Sequence, residues 1–409
     1  MNQGPLSGIR VIEAGRFASA PSCATILADW GAEVIKLEPP HGDPARGPGS
    51  LPGTNGAAGV NPRFDVHNRT RRSVALDLTT LAGQTVARRL IGTADVFVTN
   101  MRPVALTRLG LDSATLRAAD PRLIYAQVTG YGQGDAQDRR SYDHGAFWSY
   151  SGMAALFRDS AGTPPQPAGG MGDRATGSAL AGAVCAALFA RQRTGHGDHV
   201  SVSLLRTAMW LMASDVADAL RDPGVPRSID RLTAPIPTVN CFRCRDGRWL
   251  WLQSMLPERD WDVLLTALDA RWLDDDPRFR GGDPRLLAES GAALVETLDE
   301  IFRQRPRDEW CRRLSAAGLT VAPVQDLADA VRDPVVLGSG AVRQVRYAGG
   351  HYATVDSPCT FAGAPSAPGY PAPAVGAHTE EVVAALGFTG TELAELRAGG
   401  ACGAAPLPG

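Results

Sequence analysis

Short runs of β-branched and other apolar residues alternate with helix-like spacing over the first 130 residues. Runs bounded by glycine or polar residues predict buried strands, and the 3.6-residue spacing between them predicts helices. The predicted strands are Gly8–Ala14, Ala32–Leu37, Ser73–Leu78, Ala94–Thr99 and Leu123–Thr129, and the predicted helices are Ala20–Trp30, Leu81–Ile91 and Pro103–Leu109. This alternation favours a parallel sheet covered by helices, so we predict a Rossmann-type α/β domain.

The pattern becomes less regular after residue 140 and changes again after a Pro/Gly segment at 222–226. Before that segment we predict helices at Tyr142–Gly152 and from Asp173 to about Arg193, a strand at His199–Leu204, and a helix ending near Leu220. Beyond it we predict a hairpin over 240–254 turning at Asp246-Gly247, helices at about 257–269, 285–303 and 307–317, and a strand at Thr320–Val324. The Asp-Gly turn is a strong hairpin signal, and this stretch predicts a smaller α+β unit.

A length of 409 residues exceeds what one hydrophobic core usually accommodates, so we predict two domains. Residues 1–222 form the first part of the large domain, and residues 226–330 form the small α+β domain. A further segment, 331–398, ends in a helix pair at about 379–398. The low-complexity residues 399–409 are predicted to form a disordered tail.

Composition narrows the class of protein. The chain is 44% hydrophobic and 21% charged with a formal net charge of −2, which argues against nucleic acid or a membrane surface as a partner. The N-terminus has no apolar signal-peptide segment, and no run of about 18 apolar residues occurs. The seven cysteines are irregularly spaced and do not suggest a disulfide framework. We therefore expect a soluble, cytoplasmic protein.

Several common kinds of site find no support in the sequence. Residues Glu13–Ala20, after the first strand, lack the G-x-G-x-x-G pattern of dinucleotide-binding loops, and there is no Walker A lysine motif. Cys241 and Cys244 have metal-like spacing but no second ligand pair. No G-x-S-x-G elbow occurs. We expect no metal site, and the sequence does not favour a nicotinamide cofactor or a nucleoside triphosphate as the ligand.

Arginines and apolar side chains gather where the predicted strands end. Because the carboxyl ends of parallel strands share the edge at which open α/β sheets bind ligands, these side chains are expected to lie close together. The arginines are Arg16, Arg102, Arg108 and Arg140, and the apolar residues are Phe17, Leu76, Met101 and Leu109. Guanidinium groups pair bidentately with phosphates, so the cluster suits a phosphorylated, adenine-bearing thiol carrier.

A segment rich in proline and glycine, 163–172, ends at Asp173, directly before a helix of very small residues. Gly170 and Gly172 permit backbone angles that a β-carbon would forbid. Aspartate is a favoured N-cap residue, and the first turn of a helix stabilises negative charge. The local motif therefore favours a helix N-cap at Asp173 and leaves a role as a nucleophile open.

A series of ordered motifs resembles the class III coenzyme A-transferases, a family that includes formyl-CoA and carnitine-CoA transferases and α-methylacyl-CoA racemase. The matching segments are LSGIRVIE (6–13), GAEVIKLE (31–38), NRTRRSVALDL (68–78), ADVFVTNMRP (94–103), RLGL (108–111), PRLIYA (121–126), GYGQG (130–134), GD (172–173), TGHGDHVSVSLL (194–205) and HTEEV (378–382).

The resemblance implies a Rossmann-type large domain completed by both chain ends, with 331–398 returning to it, and an interlocked homodimer. It places the catalytic nucleophile on Asp173. It places the CoA contacts on Arg16, Phe17, Ala18, Leu76, Asn100, Met101, Arg108 and Arg140. Coenzyme A and acyl-CoA are then substrates, and no permanently bound cofactor is expected.

The implied reaction moves CoA from an acyl-CoA to a free carboxylic acid through an aspartyl anhydride and an aspartyl-CoA thioester. The helix N-terminus is expected to keep Asp173 ionised. The small domain lacks the glycine run of the formyl-CoA branch, and the nearest candidate loop is Thr233–Pro237, which disfavours oxalate or formyl substrates.

Alternatives on the same scaffold stay open. The racemase branch carries a His-Asp pair where this chain has Tyr142-Asp143, and tyrosine is a poor base at neutral pH. His144 lies two positions away. A 2-methylacyl-CoA racemase or epimerase is thus the second hypothesis, and a non-catalytic CoA-binding protein, in which Asp173 only caps a helix, is the third.

Overall fold

The structure is a computed structural model and describes residues 4–47, 61–159, 161–224, 230–364 and 369–403. The chain divides into two compact units. The first comprises Met1–Ala155, Pro165–Leu220 and Gly338–Gly409, and the second comprises Leu156–Pro164 and Arg221–Leu337. Residues 225 and 226 of the predicted linker and residues 404–409 of the predicted tail lie outside the described residues.

Six parallel strands form the main sheet of the first unit. They are β1 (Arg10–Ala14), β2 (Glu33–Glu38), β3 (Arg72–Ala75), β4 (Val96–Thr99), β5 (Ile124–Thr129) and β6 (His199–Ser203). Their order, β3-β2-β1-β4-β5-β6, is that of doubly wound α/β folds. The predicted parallel α/β sheet is confirmed. The order reverses beside β1, where such sheets bind their ligands.

Helices connect these strands and cover the sheet. They are α1 (Ser19–Asp29), α2 (Pro62–Asn68), α3 (Leu81–Ile91), α4 (Pro103–Leu109), α5 (Ser113–Ala119), α6 (Met153–Leu156), α7 (Met171–Thr194), α8 (Leu204–Leu211) and α9 (Ala213–Arg221), with a 3-10 turn at Pro44–Arg46 and a π-helix at His144–Ser149. The α2 and α5 helices are missed by the sequence pattern, although Asn61 and Asp112 cap them. Within the described ranges, no helix has both the length and the apolar character needed to cross a membrane.

The two faces of the main sheet carry separate apolar cores, because successive side chains of a strand point to opposite faces. Val11 and Val98 belong to the core that contains the buried residues of α1 and α7. Ile12 and Phe97 belong to the core built with α3 and with Val382 from the C-terminal part of the chain. The α1–α7 layer therefore covers one face, and the start of each of these helices lies near a strand end.

The second unit is an α+β structure. It contains an antiparallel sheet of β7 (Val239–Arg243), β8 (Trp249–Gln253) and β9 (Val321–Val324), with α10 (Pro257–Ala267), α11 (Pro284–Glu289), α12 (Gly291–Phe302), α13 (Arg307–Ala316), α14 (Leu327–Ala330) and α15 (Pro334–Gly338), and 3-10 turns at Arg231–Thr233, Arg271–Asp275 and Arg280–Gly282. The β7–β8 hairpin is confirmed. The single helix predicted at 285–303 is wrong: Ser290 separates α11 from α12.

The chain then returns to the first unit through β10 (Val342–Tyr347), β11 (Gly350–Val355), α16 (Thr379–Ala385) and α17 (Gly390–Ala398). The Ala75 N–H donates to Thr379 Oγ1 at 3.0 Å, which ties α16 to β3. Cys402 is buried and pairs with Leu76. The prediction of a disordered tail is therefore wrong for residues 399–403, which pack against the end of β3.

Candidate active site

Asp173 lies in the first turn of α7 and is not its N-cap, so that prediction is wrong. The helix begins at Met171, and its N-cap is Gly170, whose φ of 81° is left-handed. Because glycine adopts this angle without steric cost, the helix starts two residues earlier than the pattern suggests. Asp173 is still within the turn whose free N–H groups and dipole favour an anion.

A second carboxylate, Asp143, is buried beside the same turn. A β-carbon added to Gly172 would stand 2.4 Å from Asp143 Oδ1 and 2.2 Å from Phe147 Cγ. Glycine at position 172 is therefore what allows α7 to approach Asp143. Neither Asp143 oxygen forms a hydrogen bond of ordinary geometry within the described residues, although the N–H groups of Gly170 and Gly172 lie close enough to lower its pKa.

The two carboxylates are both harder to ionise than surface aspartates. Burial is the largest cause and the negative charge of Asp143 the second; together they raise the pKa of Asp173 to about 6, against the opposing effects of Arg174 and a hydrogen bond from Ser19. Burial also raises the pKa of Asp143. The helix terminus was expected to keep Asp173 ionised. The raised pKa corrects this expectation, because the ionised form predominates only above about pH 6.

Asp173 lines a cavity of about 540 Å³ within the first unit. The cavity lies at the carboxyl ends of β1, β4 and β5, because its lining residues directly follow those strands. The predicted site residues found in the lining are Arg16, Phe17, Ala18, Asn100, Met101, Arg140 and Asp173. Arg16, Phe17, Met101, Arg102 and Arg140 of the predicted strand-end cluster therefore lie in one cavity with Asp173, whereas Leu76, Arg108 and Leu109 do not line it.

Asn100 holds the loop that follows β1. Its Oδ1 accepts the Arg16 N–H at 3.0 Å, and its Nδ2 donates to the Arg16 carbonyl at 2.8 Å and to Ser19 Oγ at 3.0 Å. The Ser19 hydroxyl in turn hydrogen-bonds to Asp173. Asn100 therefore fixes the position of the loop backbone and is connected to Asp173 through one hydroxyl.

Four arginines contribute to the lining of the cavity: Arg16, Arg102, Arg139 and Arg140. The Arg139 guanidinium lies over the Tyr131 ring at 4.6 Å and the Tyr150 ring at 5.0 Å, an arrangement that restrains its side chain. With a formal net charge of −2 for the whole chain, four arginines on one cavity are a local concentration of positive charge suited to phosphates.

Two of the predicted CoA contacts lie elsewhere. Leu76 is buried in the core on the α3 face of the main sheet, beside Cys402, and Arg108 is exposed in the last turn of α4. Neither residue lines this cavity. His144 shares a hydrogen bond with the Pro167 carbonyl at 3.2 Å and also lies outside the lining.

Ser19 and Arg139 line the cavity although the sequence did not single them out, and Asp143, noted in the sequence only for its place in the racemase pair, lies beside the first turn of α7. Asp143 occupies the aspartate position of the His-Asp pair of the racemase branch, and this match is a sequence signal for a role in the site. Its approach to Asp173 depends on the first turn of α7, which the sequence does not show. Ser19 carries no sequence signal beyond its place at the start of α1. Arg139 stands beside Arg140, and only the tertiary stacking on two tyrosines distinguishes it.

The chain belongs to the CoA-transferase family III, whose sequence profile matches residues 6–379. It is therefore a class III CoA-transferase, an enzyme that moves coenzyme A between an acyl-CoA and a carboxylic acid. The non-catalytic alternative is set aside by this membership.

Individual relatives support the same assignment over nearly the whole chain. Identity is 30% to (R)-2-hydroxy-4-methylpentanoate CoA-transferase of Clostridioides difficile, covering 94% of this chain and 96% of the relative. It is also 30% to cinnamoyl-CoA:phenyllactate CoA-transferase of Clostridium sporogenes, covering 97% and 96%. The crystal structure of a CAIB/BAIF family protein from Brucella suis matches with a TM-score of 0.82 at 28% identity, covering 94% of this chain and 100% of that one.

Proposed function

We propose that this enzyme transfers CoA through covalent intermediates on Asp173. The observation that carries the proposal is the position of the Asp173 carboxylate, in the first turn of α7 and in the lining of the arginine-rich cavity at the strand ends. In this position the Asp173 carboxylate can contact the thioester of a bound acyl-CoA, whose phosphates pair with arginines of the same cavity.

In the first half-reaction an Asp173 oxygen attacks the thioester carbonyl carbon of the donor. The carbon–sulfur bond breaks, CoA leaves as a thiolate, and a mixed anhydride joins Asp173 to the donor acyl group. The thiolate then attacks the aspartyl carbonyl, which releases the donor carboxylate and leaves an aspartyl-CoA thioester. The acceptor carboxylate repeats these steps in reverse, so that acceptor acyl-CoA leaves and Asp173 is regenerated.

The surroundings of Asp173 suit this sequence. Each attack on a carbonyl develops negative charge on oxygen, and the free N–H groups in the first turn of α7 are donors for it. A pKa of about 6 leaves Asp173 mainly ionised at neutral pH, as a nucleophile requires. Ser19 contributes a hydrogen bond that orients the carboxylate.

The CoA contacts are proposed on the cavity lining: Arg16, Phe17, Ala18, Asn100, Met101 and Arg140. Arg102 and Arg139 extend this set toward the phosphates. Leu76 and Arg108 stay predictions drawn from the family resemblance. We also propose that the active enzyme is an interlocked homodimer, with CoA and acyl-CoA as substrates and no resident cofactor.

A donor–acceptor screen by mass spectrometry tests the proposal. Acyl-CoA donors are paired with free acids, and the acids include 2-hydroxy-4-methylpentanoate and phenyllactate because two relatives are named for them. We expect new acyl-CoA from wild type and from Asp135→Ala, an exposed carboxylate outside the cavity lining, and none from Asp173→Ala. Product from Asp173→Ala at the wild-type rate contradicts the proposal.

The same reactions run in D₂O address the racemase alternative. Epimerisation exchanges the hydrogen on the α-carbon of a 2-methylacyl-CoA, whereas transfer leaves it untouched. Because Tyr142 stands where the racemase branch has histidine, we expect transfer without deuterium in the recovered donor. Deuterium incorporation that outpaces transfer supports the racemase instead.

A further inference from the structure

Lys36 is the only lysine of the chain, and its side chain is fully buried on β2, between β1 and β3 of the main sheet. Its ammonium group lies 3.3 Å from Glu13 Oε2, 3.0 Å from Asp43 Oδ2 and 3.1 Å from the Gly15 carbonyl. The contacts with Glu13 and Gly15 are hydrogen bonds, and the contact with Asp43 is an ion pair. The buried Arg71 guanidinium is a second cation beside Glu13, and its Nη1 donates to Glu13 Oε2 at 2.8 Å.

The same network reaches the loop that lines the cavity. Asp43 Oδ1 accepts the N–H of Phe17 at 3.3 Å and the N–H of Ala45 at 3.0 Å, while Oδ2 faces Lys36. The Gly15 carbonyl bound by Lys36 lies two residues before Phe17. The ion pair therefore holds the β1–α1 loop at two points of its backbone.

Phe17 needs such support because its φ is 60°, in the left-handed region. For a bulky residue that conformation is strained, and it persists only when neighbouring structure imposes it. The Phe17 side chain is 40% exposed and meets Tyr142 edge-to-face, with ring centroids 6.0 Å apart; both residues line the cavity.

We propose that the buried Lys36–Asp43 ion pair is a positioning device that imposes the left-handed conformation of Phe17 and so shapes the binding surface for acyl-CoA. The inference rests on the proposed function, which puts acyl-CoA in this cavity. Lys36 and Asp43 lie outside the lining and act through the loop, whereas Asp173 carries the chemistry. Loss of the pair is therefore expected to weaken acyl-CoA binding more than it slows turnover.

Asp43→Asn tests the inference, because it removes the Asp43 charge that pairs with Lys36 while keeping the size of the side chain. We expect KM for acyl-CoA to rise about tenfold with kcat within about twofold of wild type. The matched control is Asp29→Asn, which breaks a buried ion pair with Arg69 (2.6 Å) and Arg343 (3.0 Å) in the same unit. It is expected to lower the unfolding temperature and leave KM unchanged.

A double-mutant cycle separates positioning from general loosening. Glycine adopts a φ of 60° without help, so in a Phe17→Gly background Asp43→Asn should raise KM by less than about threefold. Should Asp43→Asn not fold, Asp43→Glu keeps the charge and moves the carboxylate by one methylene, and an increase in KM is again expected.

An unchanged KM in Asp43→Asn or Asp43→Glu, or full additivity with Phe17→Gly, overturns the inference. So does an equal rise in KM in Asp29→Asn. These results leave the proposed function intact as long as turnover still depends on Asp173, whereas activity without Asp173 overturns the proposed function alone.

Discussion

The Asp173 carboxylate, which we propose as the nucleophile, is harder to ionise than a surface aspartate. Burial is the main reason for its raised pKa, and the nearby Asp143 charge is the second. A carboxyl with a pKa of about 6 accepts a proton as the pH falls through that value, and the protonated form cannot attack a thioester. At the scale of single residues, the proposed mechanism therefore makes activity depend on the titration of one group.

We predict that kcat/KM falls as the pH drops below about 6. Replacing Asp143 by asparagine removes a like charge, which lowers the pKa of Asp173 and shifts the acid limb of the pH profile to lower pH. The measurement is kcat/KM for acyl-CoA between pH 4.5 and pH 8 for wild type, Asp143→Asn and the exposed control Asp135→Asn. An acid limb that stays in place in Asp143→Asn contradicts this account of the site.

At the scale of elements, the contact between α1 and α7 sets the distance between Ser19 and Asp173. Gly177 makes that contact possible: a β-carbon there would lie 2.6 Å from the Ser19 carbonyl oxygen and 2.7 Å from Ser22 Cβ. Gly182 lies in the same helix, and among the described residues no atom outside that helix's own backbone comes within 4 Å of the corresponding position. Comparing substitutions at the two glycines therefore distinguishes the effect of close packing from the effect of helix propensity.

Gly177→Ala is expected to lower the free energy of unfolding by about 1–3 kcal/mol, because the helices must move apart. It is also expected to reduce kcat, since Ser19 and Asp173 shift with them. Gly182→Ala should instead stabilise the protein by up to about 1 kcal/mol through helix propensity, at unchanged kcat. Urea unfolding and steady-state kinetics measure both effects, and a destabilised Gly182→Ala or an unaffected Gly177→Ala argues against the close contact.

The elements also show what the sequence could predict. Local pattern located the strands of the main sheet, and the strand-end rule placed Arg16, Arg102 and Arg140 together; the structure has them in one cavity with Asp173. Local pattern could not predict the π-helix at His144–Ser149 or the start of α7 at Met171, because both depend on backbone conformations set by tertiary contacts. Asp143 and Asp173 are 30 positions apart in the sequence. They lie close together because Gly172 lets α7 approach Asp143, and no local pattern encodes that contact.

At the scale of the whole molecule, α8 and α9 expose large apolar side chains. Trp210 is 77% exposed and Leu220 is 83% exposed, and Leu211 is more than half exposed. Such a surface on a single chain is typical of an interface. It supports the proposal that two copies of the chain form the active enzyme.

We predict a particle of twice the mass of one chain in sedimentation analysis at assay concentrations. If the two chains are interlocked, tagged and untagged dimers should not exchange subunits on mixing, and hybrid dimers should form only after joint unfolding and refolding. A monomer with full activity contradicts the dimer, and hybrid formation within minutes under native conditions contradicts interlocking.

The central claim is that Asp173 becomes covalently bonded to CoA, and trapping with hydroxylamine tests it most directly. Wild-type enzyme is incubated with acyl-CoA and hydroxylamine, digested, and examined by peptide mass spectrometry, with Asp173→Asn and Asp143→Asn in parallel. The account predicts an aspartyl hydroxamate at residue 173 in wild type and in Asp143→Asn, and none in Asp173→Asn. A hydroxamate on another residue, or turnover of acyl-CoA with no hydroxamate at residue 173, contradicts it.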